Sequence, residues 1–232
     1  MSQYLFAPAP VVAAPVRGSS QTYPIRRIFC VGRNYEAHAK EMGVQVDREA
    51  PFYFTKSAHT YVPSGATVAY PPGTANYHYE MELVVAIGKE GFRIDKDKAL
   101  EHVYGYACGL DMTRRDLQLV AREQRRPWDL GKDFEESAVL GEIVPAAESG
   151  HFSQGAIELR VNGQTKQASD LTLLIHAVPE IIAHLSGYYH LMPGDLIYTG
   201  TPEGVGPVVS GDLIEGSIAG LGGISLKIGD KA

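Results

Sequence analysis

The chain has 232 residues, 44% of them apolar and 21% charged, with a net charge of −6. That length suits one large domain or a small pair, with apolar material for a sizeable core and no need of a disulfide staple. The acidic balance leaves no basic footprint for nucleic acid, and no apolar run approaches the roughly 18–20 residues of a membrane span, so neither is an expected partner.

Residues 1–24 are rich in Pro, Ala and Ser and read as an extended N-terminal arm, with the main folded unit expected over 25–232. YLFAPAPVVAAPV within the arm is short, broken by prolines and not preceded by a basic segment, so it does not read as a signal peptide. RRIFCVG is a strand that runs into RNYEAHAKEMG, a short helix stopped by Gly43. Residues 44–50 are polar and loop-like. PFYFTK and ATVAYPP are short strands, TANYHY is a loop, and HYEMELVVAIG, residues 78–88, is a buried strand. Asp95 caps a helix over 96–102, and the strand VYGYACGLD follows. TRRDLQLVAREQRR is the clearest helix, with Thr113 as N-cap and Asp116 three residues on in a capping-box-like arrangement. PWDLGKDFEESAVLG is loop-like with an apolar end. IELRVNGQTKQ is a hairpin turning at Asn162-Gly163. IHAVPEIIAHLSG is a helix ending near Gly187, PGDLIYTGTPEGVGPV a strand and a glycine-rich loop, and GDLIEGSIAGLGGISLKI a final strand pair. About ten strands and four short helices, without repeats or regular βα alternation, predict an α+β, β-rich roll or sandwich and not a doubly wound sheet. Cys30 and Cys108, in apolar strand-like runs, read as buried thiols of a reducing cytoplasm.

The strand at 78–88 opens with two carboxylates. Side chains two apart in a strand share a face, so Glu80 and Glu82 point the same way, roughly 6–7 Å apart. Met81, Leu83, Val85 and Ile87 fill the other face. Two like charges beside a core repel each other and resist desolvation. Asp111 ends the strand VYGYACGLD just before the next helix. Together the three make an all-oxygen site suited to a hard divalent cation, Mg²⁺ or Mn²⁺, which relieves the repulsion. Periodicity alone fits equally well an exposed edge on which Glu80 and Glu82 meet solvent or a lysine.

Further candidates surround these three. His38 and Glu41 share a helix face by i,i+3 spacing, which fits a general base oriented by a carboxylate and fits an ordinary surface pair. Arg115 and Gln118 share a face near a helix N-terminus, where the dipole favours anions. Lys132 lies in WDLGKDF, and Thr201 in the glycine-rich TGTPEGVG. Arg33 and Lys56 are extra cations for a second substrate charge. His78 shares the face of Glu80 and Glu82 and is a candidate neighbour of a metal ligand. Arg114, Arg122, Arg125 and Arg126 read as solvated or structural.

From about residue 25 to 228 the chain resembles the fumarylacetoacetate hydrolase family. The segments that carry the likeness, in the family's order, are IFCVGRNYEAHAKEMG, FTKSA, HYEMELVVAIG, YGYACGLDMTRRDLQ, PWDLGKDF, LIYTGTPEGVGPV and GDLIE. The resemblance implies a mixed β-sandwich roll with short peripheral helices, normally a homodimer. It implies Glu80, Glu82 and Asp111 as ligands of Mg²⁺ or Mn²⁺. His38 with Glu41 becomes the catalytic pair, Lys132 is a third catalytic residue beside the metal, bonded to carboxylate or substrate oxygen and able to stabilise the oxyanion, and Arg115, Gln118 and Thr201 bind substrate. The founding enzyme of the family has a further aspartate ligand in an N-terminal domain that has no counterpart in this sequence. The implied activity is metal-dependent hydrolysis of a C–C bond in a 2,4-dioxo acid, with fumarylpyruvate, from the gentisate route of aromatic catabolism, as the expected substrate. Alternatives within the family are an acylpyruvate hydrolase, an oxaloacetate decarboxylase and a 2-hydroxy-diene-dioate isomerase. The alternative outside catalysis is a metal-dependent keto-acid-binding module.

Overall fold

The computed structural model describes residues 3–43, 48 and 50–232. Of the loop read at 44–50, residues 44–47 and 49 lie outside the described residues. The architecture is an eight-stranded mixed sheet stacked on a five-stranded sheet, with a small three-stranded sheet at one end. The large sheet runs Phe52–Lys56, Arg27–Gly32, Asp195–Tyr198, Met81–Ile87, Val103–Asp111, Ala138–Leu140, Tyr61–Pro63, with Val144–Pro145 also pairing on Val103–Asp111.

Its centre is the strand Met81–Ile87, buried along its whole length. Alternation divides its side chains between two cores. Met81, Leu83, Val85 and Ile87 join the main core, which holds Ile157, Leu159, Ile214 and Leu226 of the five-stranded sheet. Val84 and Ala86 enter a second cluster with Ala14, Val16, Tyr23 and Ile25. The leading segment thus covers the back of the sheet, as a hairpin of Ala13–Pro15 and Thr22–Pro24. The Tyr23 hydroxyl donates to the Ile87 carbonyl at 2.7 Å, which ties this cover to the central strand. With both faces covered, the polar end of the strand is fixed in depth.

Several elements differ from the sequence reading for physical reasons. The run read as one strand over 78–88 is two: Tyr77–Tyr79, partly read as loop, lies in the small sheet, where His78 pairs with Thr113 and with Pro207, and Met81–Ile87 lies in the large sheet, with Glu80 between them. Thr113 is not the N-cap: it lies in that small sheet, and its hydroxyl accepts from Lys132 Nζ at 2.7 Å. The helix starts at Arg115, and Asp116 accepts from Thr74 and Ala75. Residues 96–102 form a 3₁₀ helix with no side-chain cap from Asp95. Asp129–Lys132 form one short helical turn. The Asn162-Gly163 hairpin is as read, with φ of 50° and 77° at its two turn residues. The described residues hold eighteen strands, more than the sequence reading counted, because several span only two or three residues and show no alternation. Both cysteines are free and buried. No helix among the described residues is long and apolar enough to cross a membrane.

Candidate active site

Two neighbouring strand ends build the site. Met81 pairs with Leu110 in the antiparallel ladder, and the Asp111 N–H donates to the Glu80 carbonyl at 2.9 Å. This register sets Asp111 beside Glu80 and Glu82. Ligand oxygens of the three carboxylates lie within 4.8 Å of one another, with residue exposures of 5%, 2% and 0% for Glu80, Glu82 and Asp111. The exposed-edge alternative is thereby excluded.

Three buried cations face the three acids. Lys132 Nζ donates to Glu80 Oε2 at 2.8 Å, to Asp111 Oδ2 at 2.6 Å and to Thr113 Oγ1 at 2.7 Å, which uses all three ammonium protons. Arg115 contacts Glu80 with Nη2 and Gln118 with Nη1. Lys56 Nζ approaches Asp111 Oδ1 at 2.9 Å. Its hydrogen bonds go elsewhere, to the Met112 carbonyl at 3.1 Å and Ser137 Oγ at 2.9 Å, and Asp111 Oδ1 is buried without a hydrogen-bond donor.

The partners are shared unequally. Burial pushes the Glu80 carboxyl up, but the charges of Lys132 and Arg115 outweigh it and hold the group well below the usual carboxylate range. Burial also pushes Glu82 up, and there Asp111 and Glu80 add to it; the one strong donor, the Gly200 N–H at 2.7 Å, does not offset them. In this arrangement a proton is held more readily at Glu82 than at Glu80. An unsatisfied Asp111 oxygen, a disfavoured Glu82 carboxylate and an all-oxygen donor set fit a hard divalent cation.

Local sequence explains how each remaining side chain is held. Lys132 reaches the carboxylates because its short helix presses on the helix Arg115–Glu123. The contact needs Gly131, where a Cβ would stand 2.8 Å from the Gln118 backbone nitrogen. His38 Nδ1 lies 3.2 Å from Glu41 Oε2, and the Gly204 N–H donates to the same carboxylate at 3.2 Å. The His38 bond lowers the Glu41 carboxyl below its ordinary value. Thr201 Oγ1 accepts from Gln167 at 2.9 Å, which leaves its own O–H for a ligand. Burial, and then the Arg115 charge, depress His78 to about 4. It is therefore neutral near pH 7, with Nε2 on Asn76 at 2.8 Å and Nδ1 accepting from Arg115 Nε at 3.4 Å.

One cleft brings together Arg33, His38, Glu80, Glu82, Arg115, Gln118, Lys132 and Thr201. Glu41 reaches it through His38, and Asp111 through the carboxylate cluster. Lys56 does not line the cleft. Its side chain has no exposed surface and it lies behind Asp111, so it cannot meet a second substrate carboxylate. Arg122, read from sequence as solvated or structural, does line it. Continuing the helical stripe of Arg115 and Gln118 by one turn would have found it. Phe54 and Trp128 also line the cleft and carry no sequence signal beyond being aromatic.

The fold and site define a β-rich roll with a hard-cation centre of three carboxylates beside a histidine–glutamate pair. The family described as "Fumarylacetoacetate (FAA) hydrolase C-terminal" matches residues 27–228, and the chain belongs to it. A fumarylpyruvate hydrolase of a Ralstonia species is 66% identical over 190 residues, covering 81% of this chain and 98% of that one. The crystal structure of fumarylpyruvate hydrolase from Pseudomonas aeruginosa in complex with Mn²⁺ and pyruvate superposes with a TM-score of 0.96 at 52% identity, covering 99% of this chain and 100% of that one. The human mitochondrial oxaloacetate tautomerase is 38% identical over 203 residues, 88% of this chain and 91% of that one.

Proposed function

We propose that the protein hydrolyses a C–C bond in a 2,4-dioxo acid, with fumarylpyruvate as substrate and fumarate and pyruvate as products. The carrying observation is the convergence of three buried carboxylates within 4.8 Å in a cleft that His38 also lines. The Ralstonia relative and the Pseudomonas structure support the choice of substrate and of pyruvate as the released half.

Glu80, Glu82 and Asp111 would hold Mg²⁺ or Mn²⁺, which when bound supplies a Lewis acid that draws negative charge onto the 2-oxo oxygen. The chain's own groups do the rest. Arg115, Gln118 and Thr201 bind the carboxylate end of the pyruvate half. His38, oriented by Glu41, takes a proton from a water whose oxygen bonds to C4. The C3–C4 bond then breaks, its electron pair stays with the pyruvate half, and the proton held by His38 returns to C3. One water is consumed and two acids leave. Lys132 keeps Glu80 ionised and holds Glu80 and Asp111 in position, and Lys56 braces Asp111 from behind.

The test is turnover of purified protein on fumarylpyruvate, maleylpyruvate, acetylpyruvate and oxaloacetate, each with Mg²⁺, with Mn²⁺ and with chelator. Equal yields of fumarate and pyruvate, abolished by chelator, are expected. Action on oxaloacetate alone would overturn the reading in favour of the tautomerase and decarboxylase chemistry of the relatives, which needs no water at C4. A reducing, cytoplasmic location fits the two free thiols, and a place in the gentisate route would follow from fumarylpyruvate as substrate. A homodimer fits the exposed Tyr4, Leu5 and Phe6, and light scattering tests it.

A further inference from the structure

The mouth of the cleft differs in kind from its floor. The cleft opens through Arg33, Phe54, Arg122 and Trp128 into a second cavity of about 450 Å³. That outer cavity carries Arg33, Arg122, Arg125 and Arg126 with Lys132 at its inner end, against one acid, Asp129. Such a concentration of positive charge, in a chain whose net charge is −6, is a local field for an anion.

Two of these guanidiniums are built in. Among the described residues neither Arg33 nor Arg122 is ion-paired to a carboxylate. Arg33 is held by rings, with its guanidinium 5.5 Å from the Phe52 centroid and 5.8 Å from that of Trp128. Aromatic faces fix a guanidinium without neutralising it. Its backbone is left-handed, with φ of 60°, directly after Gly32. A Cβ on Gly32 would stand 2.6 Å from Phe52 Cδ1, so the glycine makes room for the ring on which Arg33 rests. Arg122 donates Nη1 to the Met42 carbonyl at 2.9 Å, at the end of the helix that carries His38, and its side chain makes no other hydrogen bond among the described residues. Arg33 and Arg122 both line the cleft and the outer cavity, which sets the two guanidiniums at the passage between them.

The spacing acts as a ruler. Arg115, Gln118 and Arg122 form one stripe of the helix Arg115–Glu123, and seven residues rise about 10 Å. An extended seven-carbon diacid spans about 8 Å between its end carbons, at about 1.5 Å per bond before the bond angles shorten it. A chain anchored by one carboxylate at Arg115 reaches Arg122 with the other, and its unsaturated segment passes Phe54 and Trp128.

We propose that Arg33 and Arg122 form the subsite for the far carboxylate of the acyl group, and so set selectivity for acylpyruvates that end in a second acid over those that end in a neutral group. This rests on the reaction proposed above and names residues for the half of the substrate farthest from the carboxylates.

The experiment compares kcat/KM for fumarylpyruvate and acetylpyruvate in the unaltered enzyme, in R33M, R122M and the double variant, and in R122K. Each methionine variant should lower the fumarylpyruvate-to-acetylpyruvate ratio roughly ten- to a hundredfold, the loss of a charge-assisted pair, chiefly through KM. R122K should restore part of the ratio. An Arg122 that only braces Met42 would depress both substrates alike, and an unchanged ratio overturns the proposal. A second arm needs no turnover. Trp128 is the chain's single tryptophan, so its fluorescence reports ligands at the mouth. Fumarate should bind more tightly than crotonate, which replaces one carboxylate by methyl, and the double variant should erase the difference. Equal binding of the two by the unaltered protein overturns the subsite. Absence of dioxo-acid hydrolysis with this preference intact would instead defeat the proposed reaction alone.

Discussion

The floor of the cleft and its mouth use the same kinds of charged residue in opposite ways. On the floor Glu80, Glu82 and Asp111 face Lys56, Lys132 and Arg115, three acids and three cations, almost wholly removed from solvent. At the mouth, arginines outnumber acids and stay partly open to water. Burial accounts for the difference. An uncompensated charge on the floor costs several kcal/mol, so every cation there has a carboxylate partner. At a half-exposed mouth solvent screens the repulsion between arginines, and the positive charge persists. A balanced floor of six charges has room for an added cation only because one acid, Glu82, is poorly matched. An unbalanced mouth attracts an anion. The two ends of the cleft thus differ in charge, an acidic cluster that could hold a metal at the floor and an arginine-lined mouth.

The most severe way to break the floor is Asp111→Asn. It removes a charge that Lys132 and Lys56 both face. Breaking a buried pair costs about 3–5 kcal/mol, so the urea midpoint should fall sharply, together with Mn²⁺ affinity and turnover. A variant that retains wild-type Mn²⁺ affinity in a calorimetric titration would separate Asp111 from the metal site. Next in size is His38→Ala. It leaves the floor intact and should lower turnover by about 10²–10⁴-fold, the usual contribution of a general base, with Mn²⁺ binding unchanged. Hydrolysis at the unaltered rate would remove His38 from the mechanism.

Glu82→Gln sharpens the comparison because its two effects have opposite signs. Metal affinity should fall, while the metal-free protein becomes more stable. Glu82 is raised in the folded state above its ordinary value of 4.5. A folded protein that holds a proton which the unfolded chain releases loses stability as pH rises from that value toward the folded one. The metal-free wild type should therefore lose urea stability as pH rises above about 4.5, and Glu82→Gln should flatten that slope. Mn²⁺ should also bind with release of a proton, read as a dependence of binding heat on buffer ionisation enthalpy. A metal-free Glu82→Gln that is less stable than wild type at neutral pH would show that Glu82 is already well matched.

How far the sequence shows all this depends on the range of the interactions. The pair Glu80 and Glu82 was legible because strand alternation is local and the charges interrupt an apolar run. Asp111 was legible as the last residue of another such run. Family likeness, not spacing, singled out His38, Glu41 and Lys132, because i,i+3 pairs and loop lysines are common on surfaces. Lys56 and Arg122 were misread for a common reason: burial of a long side chain is decided by distant segments. Lys56 is enclosed by Met112, Lys132 and Ser137, and Arg122 by the end of the His38 helix. Thr113 has the local signature of a cap, but its hydroxyl serves Lys132, nineteen residues away. The smallest strands were illegible because two residues have no period.

The smallest expected effect lies between floor and mouth, at His78. This ring links Asn76 to Arg115, which in turn holds Glu80 and Gln118. Its pKa of about 4, against an ordinary 6.5, means that the folded protein refuses a proton that the unfolded chain takes up. For a base with a depressed folded value, stability is present above the unfolded pKa and is lost as pH falls from about 6.5 toward 4. His78→Leu should remove that acid-side slope. It should also leave Arg115 Nε without its acceptor, and so loosen the guanidinium proposed to anchor the substrate's first carboxylate. Loosening costs binding in ground and transition states alike, so KM should rise a few-fold at pH 7 with kcat nearly constant. An equal fall in kcat would mean that Arg115 acts mainly by holding Glu80 in place, and the ruler from Arg115 to Arg122 would lose its fixed end.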